Sequence, residues 1–380
     1  MDTPLPLTKD LVLIGGGHTH ALVLRRWGMA PVPGVRLTVI NPDPIAPYTG
    51  MLPGHVAGHY PRAALEIDLV RLARFAGARL VLGQAVGIDL ATRRIAVPGR
   101  PALRYDVASL DIGVTSEIPA LPGFAEHALA AKPMTTFAQR WEAFVTAAPP
   151  SPQVVVIGGG VAGCELALAM HHRLQTAHIT IVDAGPALKG ITPRVENALR
   201  AELASRGITL KERAEVERIT GSHVDLAGGA QIPADLVVGA AGAQPHGWLT
   251  GTALALTDGF VTVDAQLRSI TDPRIYAVGD CAHLRETPRP KAGVYAVRAA
   301  PTLYHNLRAD LTGRQRRAFR PQRDFLKLIS LGDRRAIGQR GPFNAAGPWV
   351  WRWKDRIDRR FMDQFTALRP MRPALAPEGA

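Results

Sequence analysis

The stretch Val154–Asp183, VVVIGGGVAGCELALAMHHRLQTAHITIVD, decides the fold. Val154 to Ile157 are consecutive apolar residues and predict a buried parallel strand. Gly158, Gly160 and Gly163 follow at GxGxxG spacing, then a helix-like run, then a second apolar strand, Ile179–Val182, ending on Asp183. Each glycine has a mechanical reason. Gly158 permits the tight turn, Gly160 lets the backbone approach a pyrophosphate, and Gly163 lets helix pack close to strand. A helix opening there aims free N–H groups and a positive dipole end at phosphates. Asp183 stands 20 residues beyond Gly163, where a carboxylate holds adenosine ribose hydroxyls and repels a 2′-phosphate. GxGxxG alone also fits a Gly-rich turn of another α/β protein. With strand, helix, second strand and terminal acid in place, it predicts an NAD(H) site.

Composition sets the outer limits. A chain of 380 residues predicts two or three domains, and 47% hydrophobic against 20% charged residues excludes a disordered protein. No apolar run approaches the roughly 18–20 residues of a spanning helix. The opening MDTPLPLTKD lacks a basic n-region and a cleavage signature, so no secretory signal is expected. The only cysteines, Cys164 and Cys281, are 117 positions apart, which favours a reducing compartment over a disulfide scaffold or a Cys-based zinc site. A cytoplasmic protein without a metal is expected. Net charge is +13, and from Leu307 to Ala380 there are 17 Lys+Arg against 7 Asp+Glu, ten of those thirteen charges. Such a tail suits anionic lipid, nucleic acid, an acidic partner or a solvated face.

Upstream, Leu11–Ile14 predicts a strand, followed by Gly15, Gly16 and Gly17, a helix over Ala21–Trp27 and a strand over Val35–Ile40. This second βαβ opening departs from the fingerprint twice. His20 stands at the third glycine position, where it would push the helix off the strand or reach toward the phosphates. Asn41 replaces the terminal acid and can still hydrogen-bond a ribose. Pro42–Tyr60 holds four prolines and three glycines in 19 residues and predicts turns. His55 and His59 join His18 and His20 there, but Gly54, Gly58 and Pro61 disfavour a regular helix, so loop histidines lining a cofactor cleft are expected rather than a metal site. Leu65–Ala76 predicts an amphipathic helix. Leu80–Val86, Arg94–Val97 and Val107–Ile112 predict strands, the last leaving through Gly113, which permits close backbone approach to a cofactor.

Pro119–Gly123 and Ala147–Pro152 look like hinges around a helix over Thr136–Thr146. The NAD unit continues through Val216–Ile219, Val224–Leu226 and Leu236–Gly239, and exits at Ala241-Gly242-Ala243-Gln244-Pro245. A glycine turn is thus followed twice, about 80–100 residues later, by a glycine exit, as an internal duplication of dinucleotide domains would produce.

Ile275–Ala282, IYAVGDCA, delivers Gly279 and Asp280 at the C-terminal end of a strand, where open α/β sheets bind ligands. These residues resemble the two-dinucleotide-domain flavoproteins of the pyridine nucleotide–disulfide oxidoreductase type. The resemblance implies that Asp280 holds the ribityl chain of FAD, in a site with Gly15, Gly17, His18, His20, Asn41, Gly113 and Gly279. It also implies that the helix opened by Lys291-Ala292-Gly293-Val294 aims its positive end at the flavin N1–C2=O region, with Lys291 either adding charge or solvated. Gly158, Gly160, Gly163, Asp183 and Gly242 would hold NADH, NADPH being disfavoured by Asp183. More narrowly, GGGHTH, PYTGMLPGHVAGHY, KAGVYAVR and the tail FLKLISLGDRRAIGQRGPF…WRWKDRIDRRFM are similar to the flavoprotein module fused ahead of selenide, water dikinase, a relative of type-2 NADH dehydrogenases. That likeness implies NADH oxidation through FAD.

The disulfide reductases of this group need a Cys pair at CxxC or CxxxxC spacing, one thiolate attacking and the other resolving. Cys164 and Cys281 cannot form one, which leaves a quinone-like or other small acceptor. Glu165, beside the NAD glycines, matches the Glu of the relatives' GVE-type turn; it would contact the nicotinamide side or serve as a helix acid stabilised by the dipole. Trp349, Trp353, Ile357 and Phe361 recur every four residues with Arg352, Arg356, Arg359 and Arg360 beside them. That pattern fits an interfacial helix on anionic lipid, a homodimer contact or a face packed on the protein's own body. No nucleic-acid fold accompanies it. The expected fold is α/β, with two Rossmann-like domains: FAD-binding over 1–125 and 256–325, NAD-binding inserted at 126–255, and a C-terminal cap over 326–380. The expected activity is hydride transfer from NADH to FAD and onward to a quinone-like acceptor, in the cytoplasm or peripheral to the inner face of the cell membrane. The alternative is a flavin-bearing redox sensor with little turnover, tied to selenium metabolism.

Overall fold

A computed structural model describes residues 8–368. Two five-stranded parallel sheets correspond in four strands, and the edge strand beside them comes last in the chain in the first sheet and first in the second. The first runs Ile275–Ala277, Val107–Leu110, Lys9–Ile14, Val35–Asn41, Arg79–Leu82. The second runs Ala128–Ala130, Leu236–Gly239, Gln153–Ile157, His178–Asp183, Thr209–Glu212. The central strands are apolar on both faces because both are covered: Val154 and Val156 lie in one buried cluster with Leu166 and Ala167 of the helix Val161–Arg173, and Val155 lies in another with Ile219, Val224 and Leu226 of a small antiparallel sheet. The second sheet lies wholly between two strands of the first, so the NAD domain is inserted into the FAD domain. The chain crosses between them twice, and the crossings pair as an antiparallel bridge at Thr115 and Gln244.

Each half also carries a three-stranded antiparallel meander: Gly87–Asp89, Arg94–Ala96 and Leu103–Arg104 in the first, Val216–Ile219, His223–Leu226 and Gln231–Pro233 in the second. The duplication therefore extends beyond the glycine turns. After the long helix Gly293–Thr312, a third meander (Lys327–Ser330, Ala336–Arg340, Phe343–Gly347) leads into the helix Pro348–Thr366. Phe361, Met362 and Phe365 of that helix join a buried cluster that also contains Leu11 and Tyr60 of the first domain and Leu166 of the second.

Two local expectations need correction. The helix expected over Leu65–Ala76 begins at Leu69, capped by Asp68, which accepts the Arg71 amide at 2.8 Å. Residues 66–68 instead form a strand against Ile45–Pro47, because Leu65 and Leu69 can face the core from either conformation and the pairing with a distant segment decides. In the turn-rich segment Leu52–Val56 does form a short helix, and the ring of Tyr60 fills the space beside Gly54 where a side chain would stand.

Candidate dinucleotide and acceptor sites

Both glycine turns are built alike. Gly15 and Gly158 adopt φ of 89° and 118°, and their amides donate to Ile40 O and Val182 O, each at 2.8 Å. A side chain would be strained at such φ and would also strike backbone: a Cβ on Gly158 would lie 2.6 Å from Ala241 N. A Cβ on Gly163 would lie 2.0 Å from Gly158 O, the close helix–strand contact expected of the third glycine. A Cβ on Gly160 would meet nothing within 4 Å, nor would one on Gly113. The missing side chains leave open space at the helix start and the strand exit, where the cofactor backbones belong. Gly242 is similarly open, with only the Gln244 amide nearby. The residues present thus fit two bound dinucleotides.

Asp183 Oδ2 accepts the Gly159 amide at 2.7 Å and its Oδ1 accepts the Gly185 amide at 2.8 Å. Asn41 Oδ1 accepts the Gly16 amide at 2.8 Å, while its Nδ2 donates to Asp43 O at 2.7 Å. Both residues brace their own glycine turn.

His20 does not reach toward the phosphates. Its ring is fully buried, with Nδ1 2.7 Å from Gly15 O and Nε2 2.8 Å from Ser109 Oγ. A carbonyl only accepts, so Nδ1 carries the proton and Nε2 accepts from the serine. Burial pushes this imidazole down to about 4. Where the second half places a glycine against Gly158 O, the first half places a ring that hydrogen-bonds the equivalent carbonyl. His18 sits one residue into the helix, held below its ordinary value by burial, 5.2 Å from the Tyr48 ring and 5.8 Å from Phe361. The nearest atom to a Cβ on Gly293 would be His18 Nδ1, at 3.6 Å. The glycine turn and the start of the helix Gly293–Thr312, with Val294 in its first turn, therefore border one space.

Gly279 (φ 66°) turns the chain so that Asp280 lies 3.4 Å from Lys132 Nζ. Lys132 was not legible as a site residue, because it is 148 positions from Asp280 in a segment without a motif. Lys291, expected either to add charge beside the flavin or to be solvated, is held by its own domain. Its ammonium donates to Ala282 O at 2.7 Å and lies 3.7 Å over the Phe260 ring, which makes it a clamp between strand and helix.

Glu165 lies under the C-terminal segment. Its Oε1 accepts the Ser330 amide at 2.7 Å, and burial raises the carboxyl to about 7 against the opposing charge of Lys354. Lys354 Nζ donates to Asp358 Oδ2 at 2.6 Å and also to Gly50 O. Tyr48 OH donates to Asp358 Oδ1 at 2.9 Å, and its ring stacks on Phe361 with centroids 4.5 Å apart. Sequence reading missed Tyr48, Lys354 and Asp358; the only local signal was the i,i+4 spacing of Lys354 and Asp358 on one helix face.

The helix Pro348–Thr366 does not present a single stripe. Trp349, Trp353 and Ile357 are exposed at 52%, 44% and 41%, whereas Phe361 is buried against Tyr48. A four-residue step overshoots the helical turn by about 40°, so three steps rotate Phe361 by roughly 120° from Trp349 and into the core. Among the described residues, no helix is long and apolar enough to cross a membrane, and no cluster of three or more His, Cys, Asp or Glu could hold a metal ion. Cys164 and Cys281 are free and buried, and burial pushes both thiols up to about 12.

Two duplicated dinucleotide domains, the Gly279-Asp280 turn and a capping C-terminal segment define a flavoprotein that takes its electrons from a nicotinamide. Residues 9–300 match the family described as pyridine nucleotide-disulphide oxidoreductase, and the chain belongs to it. It is 25% identical over 298 residues, 74% of this chain and 78% of the other, to the NADH dehydrogenase-like protein YutJ of Bacillus subtilis. It is 39% identical over 143 residues, 36% of each chain, to a rubredoxin-NAD(+) reductase of Pseudomonas putida. Among solved structures, the sulfide:quinone oxidoreductase of Aquifex aeolicus aligns with a TM-score of 0.77 at 18% identity, covering 97% of this chain and 93% of that one. The protein is an NAD(P)H-dependent flavin oxidoreductase using FAD and NADH.

Proposed function

We propose that the protein passes electrons from NADH through FAD to a quinone-like small acceptor, without a redox-active disulfide. FAD supplies the hydride chemistry when bound; the chain's own residues bind, orient and supply protons. The observation that carries this reading is Glu165, a carboxyl that titrates near pH 7, set beside the Lys354–Asp358–Tyr48 chain of hydrogen bonds. An organic acceptor that gains two electrons also gains protons, and a carboxyl near neutrality both holds and releases one. An iron–sulfur acceptor would need no such group. Cys164 and Cys281, buried and protonated, leave disulfide exchange without a nucleophile.

In this reading, Gly15, Gly17, Asn41, Gly113, Gly279, Asp280, Lys132 and Gly293 hold FAD, and Gly158, Gly160, Gly163, Asp183 and Gly242 hold NADH. The domain limits that accompany it are 1–125 with 256–325, 126–255 and 326–380. The exposed Trp349, Trp353 and Ile357, with Arg352, Arg356 and Arg360, would rest on an anionic membrane surface from the cytoplasmic side, bringing a lipid-soluble acceptor within reach.

A second reading follows from the same arginines. Relatives include reductases of rubredoxin and, in Paraburkholderia xenovorans, of a biphenyl dioxygenase ferredoxin. An acidic carrier protein would match this basic face. Anaerobic reduction of the yellow protein by NADH, followed by reoxidation with a soluble quinone or with rubredoxin, separates the two. Prompt reoxidation by quinone supports the proposal. Reoxidation by rubredoxin alone moves the acceptor to a protein, and a reduced flavin that neither restores favours a redox sensor.

A further inference from the structure

The two dinucleotide sites also differ at a buried position where the strand leaves each sheet. In the first half, the strand Val107–Leu110 hands over to Asp111, whose amide donates to Ile14 O at 2.8 Å. In the second, Leu236–Gly239 hands over to Ala240, whose amide donates to Ile157 O at 2.8 Å. The positions are counterparts, and each glycine turn presses on its own: a Cβ on Gly15 would lie 2.4 Å from Asp111 O, and one on Gly158 2.8 Å from Ala240 O. The turn requires only backbone from this position. A methyl group suffices in one half, whereas the other half buries a carboxylic acid.

Asp111 is 3% exposed. Its Oδ2 accepts the His20 amide at 2.9 Å, and the Thr19 amide bonds the same carboxyl. These are early amides of the helix His18–Met29. A Cβ on Gly17 would lie 2.4 Å from the Asp111 carboxyl carbon, and one on Gly279 2.5 Å from its Oδ1. The carboxyl therefore fills the space between the glycine turn, the helix start and the Gly279-Asp280 turn. A dinucleotide diphosphate docks at that helix terminus. The titratable and charged groups around Asp111 are few. Asp280 adds negative charge and is paired with Lys132. Cys281 stays a neutral thiol, the His20 ring is neutral and turned toward Ser109, and burial holds His18 below its ordinary value.

We propose that Asp111 sets the affinity of the first site by taking up a proton when the FAD diphosphate docks. The inference rests on the assignment of FAD to the first half. An ionised Asp111 and a diphosphate would be like charges on one buried helix terminus, and like charges disfavour the charged form of the acid. Burial already raises this carboxyl to about 7, so the proton is accessible at physiological pH. The sign follows. Below about pH 7 the acid is protonated before FAD arrives and affinity is flat. Above it, docking takes up one proton and the dissociation constant rises by up to about tenfold per pH unit. The NAD half, with Ala240, carries no such dependence.

The test uses the flavin-loaded protein, diluted and equilibrated between pH 6 and 9, with free FAD read by its fluorescence. Log Kd should be flat at the acid end and climb with a slope approaching one above pH 7. Asp111→Ala, the residue of the NAD half, and Asp111→Asn should both abolish the slope and bind FAD at least about tenfold more tightly than the parent at pH 8.5. A flat profile in the unaltered protein overturns the proposal, as does a slope that survives in either variant. The unaltered profile decides alone if neither variant folds. A protein that retains no FAD at any pH overturns the flavin assignment together with the proposal, an outcome distinct from retention without pH dependence.

Discussion

Asn41 and Asp183 occupy the same place in the two halves: each accepts, through one side-chain oxygen, the amide of the middle glycine of its own turn, Gly16 at 2.8 Å and Gly159 at 2.7 Å. Since the carboxamide of Asn41 braces its turn as closely as the carboxylate does, the charge of Asp183 is not needed for the turn. On the proposed cofactor assignment, what it adds is repulsion of a 2′-phosphate. Asp183→Asn keeps an acceptor for the Gly159 amide but loses the one for Gly185, so it should cost about 1–3 kcal/mol of stability and lower the NADH-over-NADPH ratio of kcat/KM by about tenfold, roughly 1.4 kcal/mol. Flavin reduction rates with the two nucleotides measure it, and unchanged discrimination would refute the role of Asp183. Asp183→Ala, which strands two amides, should destabilise the domain by about 1–3 kcal/mol per group left unpaired.

Glu165→Gln should preserve the hydrogen bond to the Ser330 amide and remove the proton. Quinone turnover should fall by about 10²-fold or more, while bleaching of the flavin by NADH changes little. In the unaltered protein, a Glu165 acting as proton donor is competent below about pH 7, so the quinone step slows as pH rises through that value. Stopped-flow separation of the two half-reactions checks both statements. Loss confined to the NADH half-reaction would place Glu165 on the nicotinamide side, and equal loss in both half-reactions would refute a role specific to the acceptor.

His20→Gly restores the third glycine of the fingerprint and should be costly, because it empties buried volume and strands Ser109 Oγ and Gly15 O. A loss of about 3 kcal/mol or more is expected in urea unfolding. The pH dependence has a definite sign. The folded imidazole titrates near 4 and the unfolded one near 6.5, so between these values the unfolded chain binds more protons. This group's contribution to stability is full above about pH 6.5 and is lost as pH falls toward 4. The variant should lose that part of the acid sensitivity.

Trp349→Ser with Trp353→Ser should leave the melting temperature nearly unchanged, because both side chains are exposed, and should reduce co-sedimentation with vesicles containing anionic lipid. Phe361→Ala should do the reverse, lowering stability by about 3–5 kcal/mol through the cavity left against Tyr48. Vesicle binding that survives loss of both tryptophans would rule out this face as the membrane contact.

The sequence by itself determined the two βαβ openings, their order along the chain and the placement of Gly158, Gly163 and Asp183. These depend on backbone demands within some 30 residues: a positive φ, a close helix–strand approach, an apolar strand ending in an acid. It also determined the absence of a redox-active cysteine pair, which needs only spacing. Tertiary structure decided the rest. The His20 ring turns to Ser109, 89 positions away, rather than to the phosphates; Glu165 meets Ser330, 165 positions away; Lys132 meets Asp280; and Phe361 parts from Trp353 at the surface of Tyr48. Asp111 lay in a segment read only as a strand before a glycine. Its significance appears when Gly17, Gly279 and the start of the first helix close around it. Local periodicity says which face of an element is apolar, but the partner of a buried polar group is set by which distant segments dock, and that no window of sequence contains.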